Sequence, residues 1–255
     1  MSFPSSPTPV PAVVRRFAAG RAVRAVWING DGGVTFRLGS GVSGGEYVKV
    51  ARSETADLAG ESSRLLWAAR YVTVPQVLGF GPDDGLGEGI PGDLAWLRTR
   101  ALPGLSAVHP RWLASPEAAV RAIGAGLRTL HDRLPVRACP FDWSAAGRLA
   151  RLTPARRRGL EQPPLVDRLV VCHGDACAPN TLIGDDGRCV GHVDLGDLGL
   201  ADRWADLAVA TLSLSWNYPG RSWDGEFFAA YGVEPDAARI DYYRRLWNAE
   251  GAGSR

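Results

Sequence analysis

The stretch His173-Gly174-Asp175-Ala176-Cys177-Ala178-Pro179-Asn180, followed by Val193-Asp194-Leu195-Gly196 with Asp194 fourteen residues after the asparagine, decides the reading of this chain. Transfer of a phosphoryl group needs a carboxylate to accept the proton of the attacking hydroxyl. It also needs an asparagine and a second carboxylate to hold the magnesium ions that neutralise the phosphates. Asp175, four intervening residues and Asn180 have the spacing for the first carboxylate and the asparagine. Asp194 opens an Asp-x-Gly after a short hairpin and has the place of the second carboxylate. The competing reading, a strand-rich turn whose aspartates only cap backbone N–H groups, does not require both at these spacings.

Working outward, a cation for the phosphates comes next. The 255 residues carry 29 basic side chains, and only one of them, Lys49, is a lysine. A compact ammonium on a flexible stem is not interchangeable with a guanidinium fork. Lys49 lies in Tyr47-Val48-Lys49-Val50, the third strand-like run, where such a lysine would reach nucleotide phosphates when paired with a glutamate on the next helix. Glu61 is the expected partner, ahead of Glu54. The other reading is a solvated edge lysine that discourages strand pairing.

The frame around these groups reads as α+β. Residues 1–11 form a Pro/Ser tail too poor in apolar side chains to fold. A short helix over 12–19 closes at Gly20. Strands are predicted at 23–28, 34–38 and 47–51, joined by glycine-rich turns at 29–33 and 39–45 as an antiparallel meander. A helix over 55–70 and strands at 74–80 and 95–101 follow. A boundary near Pro103-Gly104 separates this lobe, 12–102, from a mainly helical one, 103–255. In the latter, short strands at 169–172, 181–183 and 190–193 interrupt helices that resume at 203–216, 224–231 and 236–248.

Composition excludes several classes. A net charge of +2 gives no basic stripe for nucleic acid, and no apolar run is long enough to span a membrane. Cys139, Cys172, Cys177 and Cys189 lack paired spacing, which fits a reduced cytoplasmic setting; Cys177 reads as a small filler. Gly41-Val42-Ser43-Gly44-Gly45 matches the G-x-S-x-G of hydrolases, but a strand follows it where the elbow needs a helix. Asp202 and Asp206 read as structural carboxylates at a helix start.

Together the Tyr47-Val48-Lys49 strand, the Asp57-Leu58-Ala59-Gly60-Glu61 helix, Val74-Pro75-Gln76-Val77-Leu78, Leu130-His131, Cys139-Pro140-Phe141, the 173–180 loop, Val193-Asp194-Leu195-Gly196 and Ala201-Asp202-Arg203-Trp204-Ala205-Asp206 resemble the aminoglycoside 3′-phosphotransferases, antibiotic kinases of protein-kinase-like fold. The resemblance covers nearly the whole chain after the tail. It implies a two-lobed fold, a small antiparallel sheet with one helix and a larger helical lobe, with ATP or GTP and Mg²⁺ in the cleft. It implies that Asp175 is catalytic, that Asn180 and Asp194 bind the metal, and that Lys49 and Glu61 serve the nucleotide phosphates. The loop Gly30, Asp31, Gly32 and Gly33 would cover those phosphates, and Thr99, Ala101 and Leu102 would form a hinge that reads the base. The partner would be a small antibiotic bound by a monomer or homodimer.

Two departures bear on the acceptor. Asp197 stands where the family usually has arginine. Residues 101–168 carry 11 basic groups against 5 acidic ones, Arg156 and Arg157 among them, while Glu250 is the acid left in the C-terminal stretch. If these arginines line the substrate site, the acceptor is neutral or acidic, such as a capuramycin-type nucleoside or a cyclic peptide. A nucleotide-binding pseudokinase is the remaining alternative; the intact set Lys49, Asp175, Asn180 and Asp194 argues against it.

Overall fold

The computed structural model describes residues 8–30, 32–39, 45–82, 94–160 and 162–251. The first seven residues of the tail, Asp31 and the 41–44 part of the G-x-S-x-G stretch lie outside the described residues. The chain divides into two compact units, one formed by residues up to Ala69 with Pro75–Pro103, the other by Arg70–Val74 with Gly104–Gly253.

In the first unit, helix α1 (Ala12–Ala18) precedes strands β1 (Val23–Ile28), β2 (Val34–Leu38) and β3 (Glu46–Arg52), then helix α2 (Leu58–Ala68) and strands β4 (Val77–Pro82) and β5 (Leu94–Arg100). The strands form one sheet in the order β1-β2-β3-β5-β4, all antiparallel. The meander therefore ends at β3, because β5 inserts between β3 and β4. Alternation along β3 sends Val48 and Val50 to one face, where they pack with Phe36, Leu38 and the α1 residues Val13, Val14 and Ala18. Lys49 points to the other face by the same pleat. Helix α2 begins at Asp57, whose carboxylate accepts the Gly60 amide at 2.8 Å, and it buries Leu58, Leu65 and Ala68.

Strand β3 starts one residue before the predicted run because Glu46 is tied down. Its Oε2 accepts Arg21 Nη2 at 2.9 Å and Arg98 Nη2 at 2.8 Å, and the Arg98 guanidinium lies 4.8 Å over the Phe17 ring. Burial alone would raise the pKa of Glu46; the hydrogen bonds and charges of Arg21 and Arg98 outweigh it and hold the carboxyl below the ordinary glutamate range.

The second unit holds β6 (Leu105–Ser106), α3 (Pro110–Leu113), α4 (Pro116–Arg133), α5 (Ala145–Arg151), α6 (Pro154–Arg157), β7 (Leu169–Cys172), β8 (Thr181–Ile183), β9 (Cys189–His192), β10 (Gly199–Asp202), α7 (Trp204–Asn217), α8 (Asp224–Tyr231) and α9 (Ala237–Ala249). Strands β6, β8 and β9 make one small sheet, and β10 pairs with β7 in another. Helix α7 is apolar on nearly every side and buries each residue from Trp204 to Thr211, as expected of a helix enclosed by others. Gly124 lets α4 approach α8: a Cβ there would lie 2.7 Å from the Phe227 carbonyl oxygen.

Strand β10, β6 and the short helices α3, α5 and α6 were not predicted. Each has seven residues or fewer, too few to show a period, and β10 exists because β7 pairs with it.

Since the native pKa of Glu46 is lowered, its stabilising contribution is present above the ordinary glutamate range and is lost as pH falls through the lowered value. Glu46→Gln is expected to cost about 1–3 kcal/mol near neutral pH. Thermal unfolding of both proteins should show that difference shrinking as pH falls below the ordinary glutamate range.

Candidate active site

The groups singled out in the first unit lie on β3 and α2. Lys49 Nζ and Glu61 Oε2 are 2.8 Å apart, and the Glu61 side chain is only 7% exposed against 22% for Lys49. A carboxylate so covered requires a partner, and the partner is the chain's single lysine rather than a solvated edge residue. Glu54 pairs instead with Arg52 at 2.7 Å, on the surface.

The β1–β2 turn is closed by Asn29, whose Oδ1 accepts the Gly33 amide at 2.6 Å and whose own amide donates to the Gly33 carbonyl at 3.0 Å. Gly32 takes φ +80°, which favours glycine. Gly30, Gly32 and Gly33 therefore belong to one tight turn. Of the residues assigned to the hinge, Thr99 lies within β5, paired with both Tyr47 and Val77. Ala101 donates its amide to the Gly45 carbonyl at 2.9 Å. Its N–H is thereby committed to Gly45, so any part that Ala101 plays in reading a base falls to its carbonyl. Leu102 follows it beyond the strand.

In the second unit the catalytic-loop sequence runs from β7 into a 3₁₀ turn, Ala178–Asn180, that leads into β8. Gly174 sits at φ +88°, and a Cβ there would fall 2.2 Å from the Asp197 carbonyl oxygen. No other residue fits between the loop and the Asp-x-Gly segment. His173 joins the same two segments: Nδ1 accepts the Asp175 amide at 3.2 Å, which leaves the proton on Nε2 for the Val193 carbonyl at 3.1 Å. Asp194 adopts φ +62°, a left-handed conformation uncommon outside glycine.

Asn180 Nδ2 donates to the Asp175 carbonyl at 3.0 Å and to its Oδ2 at 3.1 Å. The other carboxylate oxygen, Oδ1, is covered and has no nitrogen or oxygen donor among the described residues. Burial, and then the charge of Asp194, push the pKa of Asp175 above the ordinary aspartate range. The amide orientation that serves Asp175 leaves Asn180 Oδ1 as an oxygen donor. Together with the Asp194 carboxylate, this all-oxygen donor set suits Mg²⁺.

Asp206 corrects its sequence reading as a helix-start cap. It accepts the His173 amide at 2.6 Å and the Gly174 amide at 3.0 Å, and lies 2.9 Å from His131 Nε2. Tyr231 OH sits 2.8 Å from the other nitrogen of His131. Burial works against the charge of Asp206, but the His131 hydrogen bond and these amides prevail and its pKa is lowered. Asp202 keeps part of its expected role: Oδ1 accepts the Trp204 amide at 3.3 Å, while Oδ2 takes the Asp167 amide and Arg239. His131, Cys172 and Asp206 offer ligand atoms within 4.8 Å of one another. Hydrogen bonds occupy them already, the Cys172 thiol donating to the Asp202 carbonyl.

The candidate substrate groups are placed differently from expectation. Glu250 is held by Arg148, with Nε to Oε1 at 3.0 Å and Nη2 to Oε2 at 2.7 Å, and Arg148 is fully buried over the Trp143 ring. Its carboxylate thus neutralises an interior cation and is not free for a drug. Arg156 donates to the Ala249 carbonyl at the end of α9, and Arg157 to the Ala150 and Leu152 carbonyls at the end of α5. Cations at helix C-termini complete orphaned carbonyls, and both arginines have that role here. Asp197 remains beside Asp175, where its charge helps to raise that pKa.

Comparison with known proteins places the chain in a family. Residues 13–243 match the family model described as "Phosphotransferase enzyme family". An aminoglycoside 3′-phosphotransferase of Streptomyces fradiae is 32% identical over 245 residues, covering 78% of this chain and 84% of its own. A crystal structure of an aminoglycoside-3′-phosphotransferase of type VIII is 30% identical with a TM-score of 0.71, covering 90% of this chain and 94% of that one. A structure of aminoglycoside phosphotransferase APH(3″)-Id from Streptomyces rimosus, in complex with ADP and streptomycin, is 25% identical with a TM-score of 0.61, covering 85% and 90%. The matching model spans most of the chain, and the relatives pair over most of their own length. The chain belongs to the phosphotransferase enzyme family of the aminoglycoside phosphotransferases.

Proposed function

We propose that this phosphotransferase moves the γ-phosphoryl group of a nucleoside triphosphate to a hydroxyl of an aminoglycoside antibiotic. The observation that carries the reading is Asp175: one carboxylate oxygen is fixed by Asn180, while the other is covered and lacks an N–H or O–H donor. A hydroxyl presented to that oxygen has an acceptor for its proton, and the raised pKa makes the carboxylate a better base. The relatives' names and the complex with ADP and streptomycin supply the substrate class.

The acceptor oxygen forms a bond to the γ-phosphorus as the bond to the β,γ-bridging oxygen breaks. The proton passes to Asp175 and the nucleoside diphosphate leaves. Asn180 and Asp194 would hold magnesium, which supplies positive charge for the phosphate oxygens. Lys49, oriented by Glu61, adds a further cation for the phosphates. Positioning and electrostatics account for most of the acceleration in such transfers.

Four arginines of the basic stretch have partners within the protein. Arg156 and Arg157 complete helix ends, Arg168 pairs with Asp132 at 2.8 Å, and Arg151 lies 5.2 Å over the Trp143 ring. Among the described residues no helix is long and apolar enough to cross a membrane, and the four cysteines are free thiols. The free thiols fit a reducing, cytoplasmic site of action.

Asp175→Asn is expected to abolish turnover while nucleotide affinity stays near that of the parent, checked by nucleoside diphosphate release and by calorimetry; retained turnover removes Asp175 from the mechanism. For Lys49→Ala, kcat/KM for nucleotide should fall on the order of a hundredfold, and an unchanged value would return the lysine to a surface role. A panel of kanamycin, neomycin, streptomycin, a capuramycin-type nucleoside and a cyclic peptide should show diphosphate release with aminoglycosides. Turnover confined to the last two would overturn the substrate class.

A further inference from the structure

The loop that carries Asp175 is held from both ends by one helix. Asp206, in the first turn of α7, takes the amides of His173 and Gly174. Ser213, seven residues further along α7, takes the amide of Ala178 at 2.9 Å. Seven residues are two helical turns and about 10.5 Å of rise, so both acceptors lie on the same side of the helix. The segment 173–178 is suspended between them, with Asp175 in its span.

Several features make Ser213 an acceptor of fixed direction. It is 1% exposed, and Ala178 likewise. Asn217 Nδ2 donates to Ser213 Oγ at 3.1 Å and to the Ser213 carbonyl at 2.8 Å. With the Ala178 amide, this occupies both lone pairs of the hydroxyl. The Ser213 hydroxyl also neighbours the thiol of Cys177, which adjoins the Asp175 carboxylate. Cys177 also packs with Val209 of α7 and Trp247 of α9. Beyond Ala178 the chain is held again: Ser106 Oγ donates to the Pro179 carbonyl at 2.8 Å, and Asn180 Nδ2 grips Asp175.

We propose that Ser213 is a positioning residue for phosphoryl transfer, fixing the far end of the catalytic loop through the Ala178 amide so that Asp175 meets the acceptor hydroxyl. Asn217 orients Ser213, and α7 serves as the ruler that sets the distance between the loop's two anchors. This inference rests on the reading of Asp175 as proton acceptor. Ser213 touches no reacting group, so its removal acts on the transfer step through geometry and leaves the Lys49–Glu61 pair untouched.

The test uses the full-length protein. Ser213→Ala should lower kcat about tenfold to a hundredfold with nucleotide affinity altered less than about twofold, and Ser213→Thr, which keeps the acceptor oxygen, should recover most of the loss. Thr211→Val supplies the control for a merely structural effect. Thr211 is also 1% exposed on α7, but its hydroxyl bonds Leu207, Ala208 and Arg244 rather than the loop. At matched thermal destabilisation it should keep parental kcat. A Ser213→Ala protein with parental kcat overturns the proposal, as does a loss no greater than that of Thr211→Val at equal Tm. If Ser213→Ala does not fold, Asn217→Ala takes its place: kcat should fall with nucleotide affinity kept, and an unchanged kcat overturns the role. Failure of the underlying reading appears separately, as turnover retained in Asp175→Asn.

Discussion

The buried carboxylate of Asp206 accepts two consecutive backbone amides, His173 and Gly174, and the local structure of the second unit follows from that pair of bonds. Removing a carboxylate from water costs several kcal/mol unless hydrogen bonds replace hydration, so the loop must present those amides and His131 must stand where it does. Presenting them turns the chain through Gly174 at φ +88°, close against the Asp197 carbonyl. His173 is then placed to bridge Asp175 and Val193, which joins the Asp175 carboxylate to the segment that follows β9 and carries Asp194. His192 packs edge-on against it with ring centroids 5.7 Å apart, and burial pushes its pKa down to about 3. It therefore adds no charge to this network near neutral pH.

The electrostatics of the two units are arranged in opposite senses. In the first unit the cation is satisfied before any ligand arrives, because Glu61 holds Lys49 at a fixed place on β3. In the second, carboxylates are brought together: Asp194 and Asp197 both raise the pKa of Asp175. Like charges held close disfavour ionisation, an arrangement that bound cations would compensate. Elsewhere the chain's many guanidinium groups act as braces. Arg148 neutralises Glu250 inside the fold, while Arg156 and Arg157 close helix ends.

Much of the frame was legible in the amino-acid order. The strands at 23–28, 34–38 and 181–183 and the helix at 224–231 have the predicted ends, because turn residues or a glycine stop bound each of them. Strand β10 was missed because its four residues acquire strand geometry only by pairing with β7. Whether the Ala101 amide is available likewise depends on the Gly45 carbonyl, more than fifty residues away in the chain. Glu250 and Arg148 likewise stand 102 residues apart, and no local pattern links them.

By itself the sequence determined the chemical set and its order: one lysine on a strand, a glutamate on the following helix, and two aspartates and an asparagine at the spacing of phosphoryl transfer. These depend on short-range geometry, since a loop of given length places its side chains with little freedom. Only the tertiary structure decided which polar groups carry that loop and which arginines and acids are already engaged. Such assignments follow from burial, and burial is settled by which elements meet. Asp206 and Ser213 are ordinary helix residues in the chain, and they become anchors because α7 is packed beneath the loop whose amides they accept.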